Sequence, residues 1–327
     1  MQDARDFGSL RIFEDAHKRH TLIHGDNAIG LQYVAHARQL RERVALVYLD
    51  PPYFTNVVHQ ALVRPRDSKS SEQGGPLHQR PKAVAFDDRW SSRGEYLESI
   101  RMRLVVIREL LAPYGSVVVH LDSRVSHYVK VLGDEIFGEE CFASEIVWRY
   151  RRWPAKTANF QRVHDVLLRW RKSVETSPRF CQLYEPLAPS TVATWGTNKQ
   201  RAVFKSDGRR ARSVTTSQAS QGVPLGDVWD IGVIAPISKE RTGYPTQKPE
   251  ALLGRVVRAL SDENDVVLDP YAGSGTTLAV AAQLGRRFVG IDASDVAVKT
   301  ALGRLERAGV PLSSVGDGSQ NIIPHRE

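Results

Sequence analysis

Six apolar residues, Val44–Leu49 (VALVYL), run straight into Asp50, Pro51 and Pro52. The run is too short for a helix, and neither proline can donate to a sheet ladder, so it reads as a buried strand with a rigid, extended exit. A carboxylate and the rings of Tyr53 and Phe54 are thereby held at a strand tip. A second apolar run, Ser116–Leu121, follows a stretch in which Leu97, Ile100, Leu104, Ile107 and Leu111 recur at helical spacing over Tyr96–Leu111. Strand, helix and strand in that order imply a crossover and parallel strands, so the chain is α/β.

Further along, Glu145–Tyr150 and Val163–Trp170 read as strands. Between Thr55 and Ser92 the pattern dissolves into Gly, Pro, Ser and charge, and a connection this long is expected to be functional, here by folding over a bound substrate. Periodicity is lost again from Arg171 to Gly226, which reads as an inserted, variable module. Order returns with a helix starting at Pro249, with Glu250 at its positive end and Leu252, Leu253, Val256, Val257 and Leu260 as its apolar stripe. Val266–Leu268 is a strand, DPYAGSGTT a turn, Leu278–Leu284 a helix stopped by Gly285, and Phe288–Ile291 a strand ending at Asp292. The tail after Leu312 is expected to be loosely held.

Strand, glycine-bearing turn, helix and then an acid at the next strand end form a nucleoside-binding half-Rossmann unit. Gly273 and Gly275 would let backbone approach a ligand, and Asp292 stands where a carboxylate takes ribose hydroxyls. A P-loop needs Lys after its last glycine, but Gly275 is followed by Thr276 and Thr277; a dinucleotide site wants a third glycine where Leu278 stands. The turn also begins with Asp269, which would repel a diphosphate and attract a sulfonium or ammonium, unless it serves only to cap the following helix.

Charge is local. Arg149–Ser213 holds 15 Lys/Arg against 4 Asp/Glu, an excess of +11 in a chain of net charge +8, so the remainder is net −3. Basic residues among Trp148, Tyr150, Trp153 and Phe160 suit a polyanion with stackable bases, although an arginine-rich solvated surface would look the same. Two cysteines, Cys141 and Cys181, cannot build a disulfide framework, no apolar run reaches membrane-spanning length, and the charged start is unlike a signal peptide, so a cytoplasmic protein is expected. His17, His20 and His24 are close in sequence but belong to no zinc-type Cys/His spacing, and no metal is expected.

Taken together, LDPPY at Leu49–Tyr53 and LDPYAGSGTT at Leu268–Thr277 resemble the amino-group DNA methyltransferases, which move methyl from S-adenosylmethionine to an exocyclic base amine. HGDN (His24–Asn27), GSVVVHLD, YPTQKPEALL and VGID are similar to other family elements, and the resemblance covers most of the chain. The catalytic motif precedes the glycine loop by over two hundred residues, as in the beta subclass, whereas protein glutamine methyltransferases place the loop first. The resemblance implies a doubly wound Rossmann-like sheet with permuted motif order: a catalytic half (1–170), a target-recognition insert (171–240) and a cofactor-binding half (241–327). It implies catalytic roles for Asp50, Pro51, Pro52 and Tyr53. Cofactor contacts would come from Asp26, Asn27, Asp50, Thr246, Gln247, Lys248, Asp269, Ala272, Gly273, Ser274, Gly275, Thr276 and Asp292. Double-stranded DNA would be held by Arg151, Arg152, Lys199, Arg201, Arg209 and Arg210. DPPY favours adenine N6 over cytosine N4; a non-catalytic DNA-binding protein of the same fold is the competing class. Expected partners are a cognate restriction endonuclease, unless the enzyme is an orphan, and a second copy as a homodimer, in the prokaryotic cytoplasm at the nucleoid.

Overall fold

The structure, a computed structural model, describes residues 7–62, 82–154, 156, 158–211 and 213–317. Chain contacts divide it into a large unit, Met1–Phe180 with Asp227–Glu327, and a small one, Cys181–Gly226. The large unit is built on a ten-stranded sheet. Its centre is parallel: β6 (Leu111–Leu121), β3 (Val44–Leu49), β14 (Val266–Asp269), β15 (Arg287–Asp292) and β2 (His20–His24) lie side by side in that order. Beyond β2 come β1 (Arg11–Glu14), antiparallel to β2, and β16 (Ser313–Asp317), antiparallel to β1; beyond β6 come β8 (His164–Arg171), antiparallel to β6, β7 (Phe142–Arg149), antiparallel to β8, and β13 (Val228–Asp230), parallel to β7.

Every residue of β3 is buried, as a central strand covered on both faces requires. The two faces can be told apart by adjacent residues of β15. A Cβ on Gly30 of helix α1 (Asn27–His36) would strike Ile291, whereas one on Gly290 would strike Leu278 of α6 (Thr276–Gln283). Side chains alternate along a strand, so α1 and α6 pack on opposite faces. With α1 go α2 (Arg93–Leu110) and α3 (Ser126–Phe137); with α6 go α5 (Glu250–Leu260) and α7 (Asp295–Arg307). This is the doubly wound arrangement expected from the sequence.

Local signals explain the element ends. Ser92 accepts the Glu95 amide at 3.1 Å to start α2, while the Glu95 carboxylate takes the Ser91 amide at 2.9 Å. Pro249 immediately precedes α5, and Gly285 ends α6 with φ of +78°.

Four expectations are corrected. Thr55–Ser92 is not wholly irregular: β4 (Val58–Leu62) pairs antiparallel with β5 (Lys82–Asp87), a ribbon whose short strands give little periodic signal; 63–81 lies outside the described residues. The tail is not loose at its start, because β16 zips onto β1. The run from Ser116 extends back to Leu111 as one strand, past Pro113. Arg171–Gly226 does contain regular pieces: β9 (Tyr184–Glu185) with β12 (Val223–Pro224), α4 (Pro189–Trp195), and β10 (Asn198–Arg201) with β11 (Val214–Ala219), all within the small unit. The small unit is narrower than the 171–240 insert read from the sequence, since β13 joins the main sheet.

Candidate active site

Three neighbouring parallel strands end in carboxylates. Asp50 follows β3, Asp269 closes β14 and Asp292 closes β15. Ligands of open parallel sheets bind beyond the carboxyl ends of strands, and here that edge opens into a cavity of about 540 Å³. The Asp50–Tyr53 corner lines it together with Tyr244–Lys248, Asp269–Ser274 and Asp292–Val296. The two distant sequence motifs therefore face one space.

Both Asp50 oxygens have protein partners. Tyr53 donates its hydroxyl to Oδ1 at 2.5 Å, and the Lys248 ammonium is paired with Oδ2. Lys248 is 8% exposed and also lies over the Tyr53 ring, 5.2 Å from its centroid. Lys248, expected among the cofactor contacts, is thus paired with Asp50. A carboxylate offers about four lone-pair positions, so Asp50 keeps acceptor capacity for a substrate N–H.

The corner is held from behind by Asp88, which is fully buried. Its carboxylate accepts the amides of Phe54 (3.1 Å) and Thr55 (2.7 Å), the Thr55 hydroxyl (2.5 Å) and the Trp90 indole N–H (3.0 Å). Phe54 and Asn56 have φ of +57° and +55°, a left-handed conformation that costs non-glycine residues energy and persists where surrounding bonds enforce it.

Asp269 and Asp292 are shifted the same way. Burial, aided by the Asp50 and Asp292 charges, pushes the Asp269 carboxyl up to about 7, although the Thr277 hydroxyl and Tyr271 amide bind its oxygens. Burial raises Asp292 to about 6 despite bonds from the Gly273 (2.7 Å) and Ser294 (2.8 Å) amides. Two acids strained toward neutrality suit a cationic or hydroxyl-bearing ligand, which would relieve both.

The other sequence-derived residues separate by role. Asp26 caps α1 through the Ala28 and Ile29 amides, and Asn27 ties α1 to the glycine turn by donating to the Pro270 carbonyl at 3.0 Å; both line the cavity. Thr246 and Gln247 also line it, with Gln247 bonded to Thr242 and the Glu240 carbonyl. Pro51, Pro52, Ala272, Gly273, Ser274 and Thr276 line it too. A Cβ on Gly273, at φ of +50°, would lie 3.3 Å from the Tyr244 ring. Gly275 does not line the cavity: its Cβ would lie 2.8 Å from Ala301 of α7, so its bareness serves helix packing rather than ligand approach. Arg151 and Arg152 are exposed beside β7. Lys199 and Arg201 lie on β10, and exposed Arg209 and Arg210 on the following turn, all in the small unit.

Sequence reading missed Asp88 and a buried polar line under the pocket. Tyr48 and His120 are bonded at 2.7 Å, His120 Nε2 lies 3.5 Å from Asp165, and Tyr150 donates to Asp165 at 3.0 Å. Burial, and then Lys248, lowers the His120 pKa. A histidine inside the apolar run Val117–Leu121 was the available signal.

The model of an N6/N4-type DNA methylase family matches residues 44–302. The chain belongs to this family. Curated relatives include the type II methyltransferase M.EcaI of Enterobacter cloacae, 26% identical over 97% of this chain and 77% of that protein. The DNA adenine methyltransferase YhdJ of Escherichia coli K12 is 25% identical over 88% of this chain and 83% of its own length. Among solved structures, the cytosine-N4-specific PvuII DNA methyltransferase superposes with a TM-score of 0.52 at 16% identity, covering 89% of this chain and 90% of that one. TTHA0409 of Thermus thermophilus does so at 0.51 and 20%, covering 91% and 98%. Both share the methyltransferase fold. Among the described residues no His, Cys, Asp or Glu group is arranged to hold a metal, and no helix is long and apolar enough to cross a membrane.

Proposed function

We propose that this DNA methylase transfers methyl from S-adenosylmethionine to the N6 amine of an adenine swung out of duplex DNA at a specific site. The observation that carries the reading is the shared cavity: the Asp50–Tyr53 corner and the Asp269/Asp292 edge line one space.

The residues fit the methyl donor. Gly273 leaves space against Tyr244 that a side chain would fill, and the cavity-lining Asp292 and Asp269 offer carboxylates, the first to ribose hydroxyls and the second to positive charge. The donor supplies an electrophilic methyl on a sulfonium. The protein's part is to make a poor nucleophile attack. An exocyclic amine is weakly nucleophilic because its lone pair is delocalised into the ring. Asp50 and the Pro51 carbonyl accept its two N–H bonds, which draws nitrogen toward tetrahedral geometry and frees the lone pair. The prolines and Asp88 fix those acceptors beforehand, so little reorganisation accompanies reaction. Tyr53, its hydroxyl held by Asp50, offers a face on which the base stacks.

DPPY and the names of adenine-modifying relatives support adenine. The names of type II relatives support work beside a restriction endonuclease of the same specificity, in the bacterial cytoplasm on nucleoid DNA. A homodimer is the assembly to test by sedimentation. Incubating DNA with methyl-labelled donor and digesting to nucleosides tests the chemistry: label on N6-methyl-2′-deoxyadenosine is expected, label on deoxycytidine alone would overturn the base assignment, and no label would overturn the activity. Sequencing modified bases in DNA from expressing cells then gives the site.

A further inference from the structure

The connection between β7 and β8, residues 150–163, carries two aromatic rings that the fold leaves in water: Trp153 is 92% exposed and Phe160 96%. Single exposed apolar side chains are ordinary. Two rings on one connection that also carries exposed Arg151, Arg152 and Arg162 put apolar and cationic side chains on the same loop.

Register places this loop at the catalytic edge. Leu49, just before Asp50, pairs with Val119, and Val119 with Leu168. β8 runs against β6, and Val163 lies five residues back from Leu168. The root of the connection therefore stands about 16 Å beyond the level of Leu49, about 13 Å beyond that of Asp50, and about 10 Å to its side. Tyr150 and Val163 close that root with an amide–carbonyl bond of 2.8 Å, and the Gln161 side chain donates to the Trp153 carbonyl at 2.7 Å. The root also reaches the floor of the pocket through Tyr150, Asp165 and His120, whose ring centroid is 6.1 Å from that of Tyr53.

A base leaving a duplex opens a hole in the stack and costs a few kcal/mol. Apolar side chains inserted between base steps offset such a loss, and neighbouring cations hold the flanking phosphates. We infer that Trp153 and Phe160 form a wedge that enters duplex DNA beside the target and fills the space the swung-out base leaves. The inference rests on the reading of the protein as a base-extruding DNA methyltransferase.

The test compares wild type with Trp153→Ala/Phe160→Ala on two probes: a duplex containing the site found by modified-base sequencing, and the same duplex with the target base mismatched, where extrusion is easier. The wedge predicts a kcat/KM at least about tenfold lower on the paired duplex and under about threefold lower on the mismatched one. Donor Kd should not change, and Trp153→Phe/Phe160→Tyr should recover the paired-duplex rate. Equal losses on both probes, or no loss on either, overturn the wedge. Wild type methylating neither probe would instead overturn the reading of the site itself.

Discussion

At the scale of single residues, the site is built by holding groups where they would not rest alone. Asp269 shows this most plainly. Its folded pKa of about 7 lies above the ordinary 3.8, so its contribution to stability is full below about pH 4 and is lost as pH rises through about 7. Asp269→Asn should therefore raise the melting temperature of the unliganded protein near pH 8, by a stabilisation of a few kcal/mol, and leave it nearly unchanged near pH 4. The same variant should lose the thermal shift that S-adenosylmethionine gives. Wild-type affinity for the donor should strengthen from about pH 5.5 to about pH 7.5 as Asp269 and Asp292 ionise, a trend that calorimetry measures directly. Asp50→Ala should reduce methyl transfer by orders of magnitude while donor binding persists; unchanged turnover would remove Asp50 from its role. Asp88→Ala strands two amides and an indole N–H, so a loss of about 2–4 kcal/mol in urea denaturation is expected, with kcat falling more than donor affinity.

At the scale of elements, packing sets hard limits of its own. A Cβ on Gly133 of α3 would lie 2.3 Å from the Trp170 ring of β8, and Trp170 is buried with its indole bonded to Asp134 at 3.0 Å. Gly133→Ala should destabilise by about 1–3 kcal/mol, and Trp170→Phe in the same chain should recover part of it. What the sequence made legible follows from range. Asp50, Asp269 and Asp292 sit at ends of short apolar runs, so their strands and their common edge could be read locally. Asp88 reaches Phe54 across 34 residues and Lys248 reaches Asp50 across 198, and no local pattern announces either. The β4–β5 ribbon and β16 were missed because each is five or six residues long and gains its order from a partner strand. Gly275 was read as a ligand glycine because a turn motif does not say which neighbour needs the room.

At the scale of the whole molecule, the basic excess is divided between the large unit and Cys181–Gly226. If Arg209 and Arg210 meet phosphates, Arg209→Glu/Arg210→Glu should weaken DNA binding most at low salt and lower the slope of log K against log salt by about 2; a loss independent of salt would count against that role. The central sheet has a further consequence. β3 and β14 are hydrogen-bonded neighbours, yet more than two hundred residues of chain separate them. At about 5–20 residues per second of synthesis the first strand leaves the ribosome some 10–40 s before its mate. Throughout that interval a wholly apolar strand waits with one side unzipped, so the nascent chain is a natural client for chaperones and no active enzyme exists before translation is nearly complete. The same gap means that two separately made polypeptides, divided between Phe180 and Asp227, should reassemble into a working methylase by closing four strand pairings, β3 with β14, β2 with β15, β1 with β16 and β7 with β13.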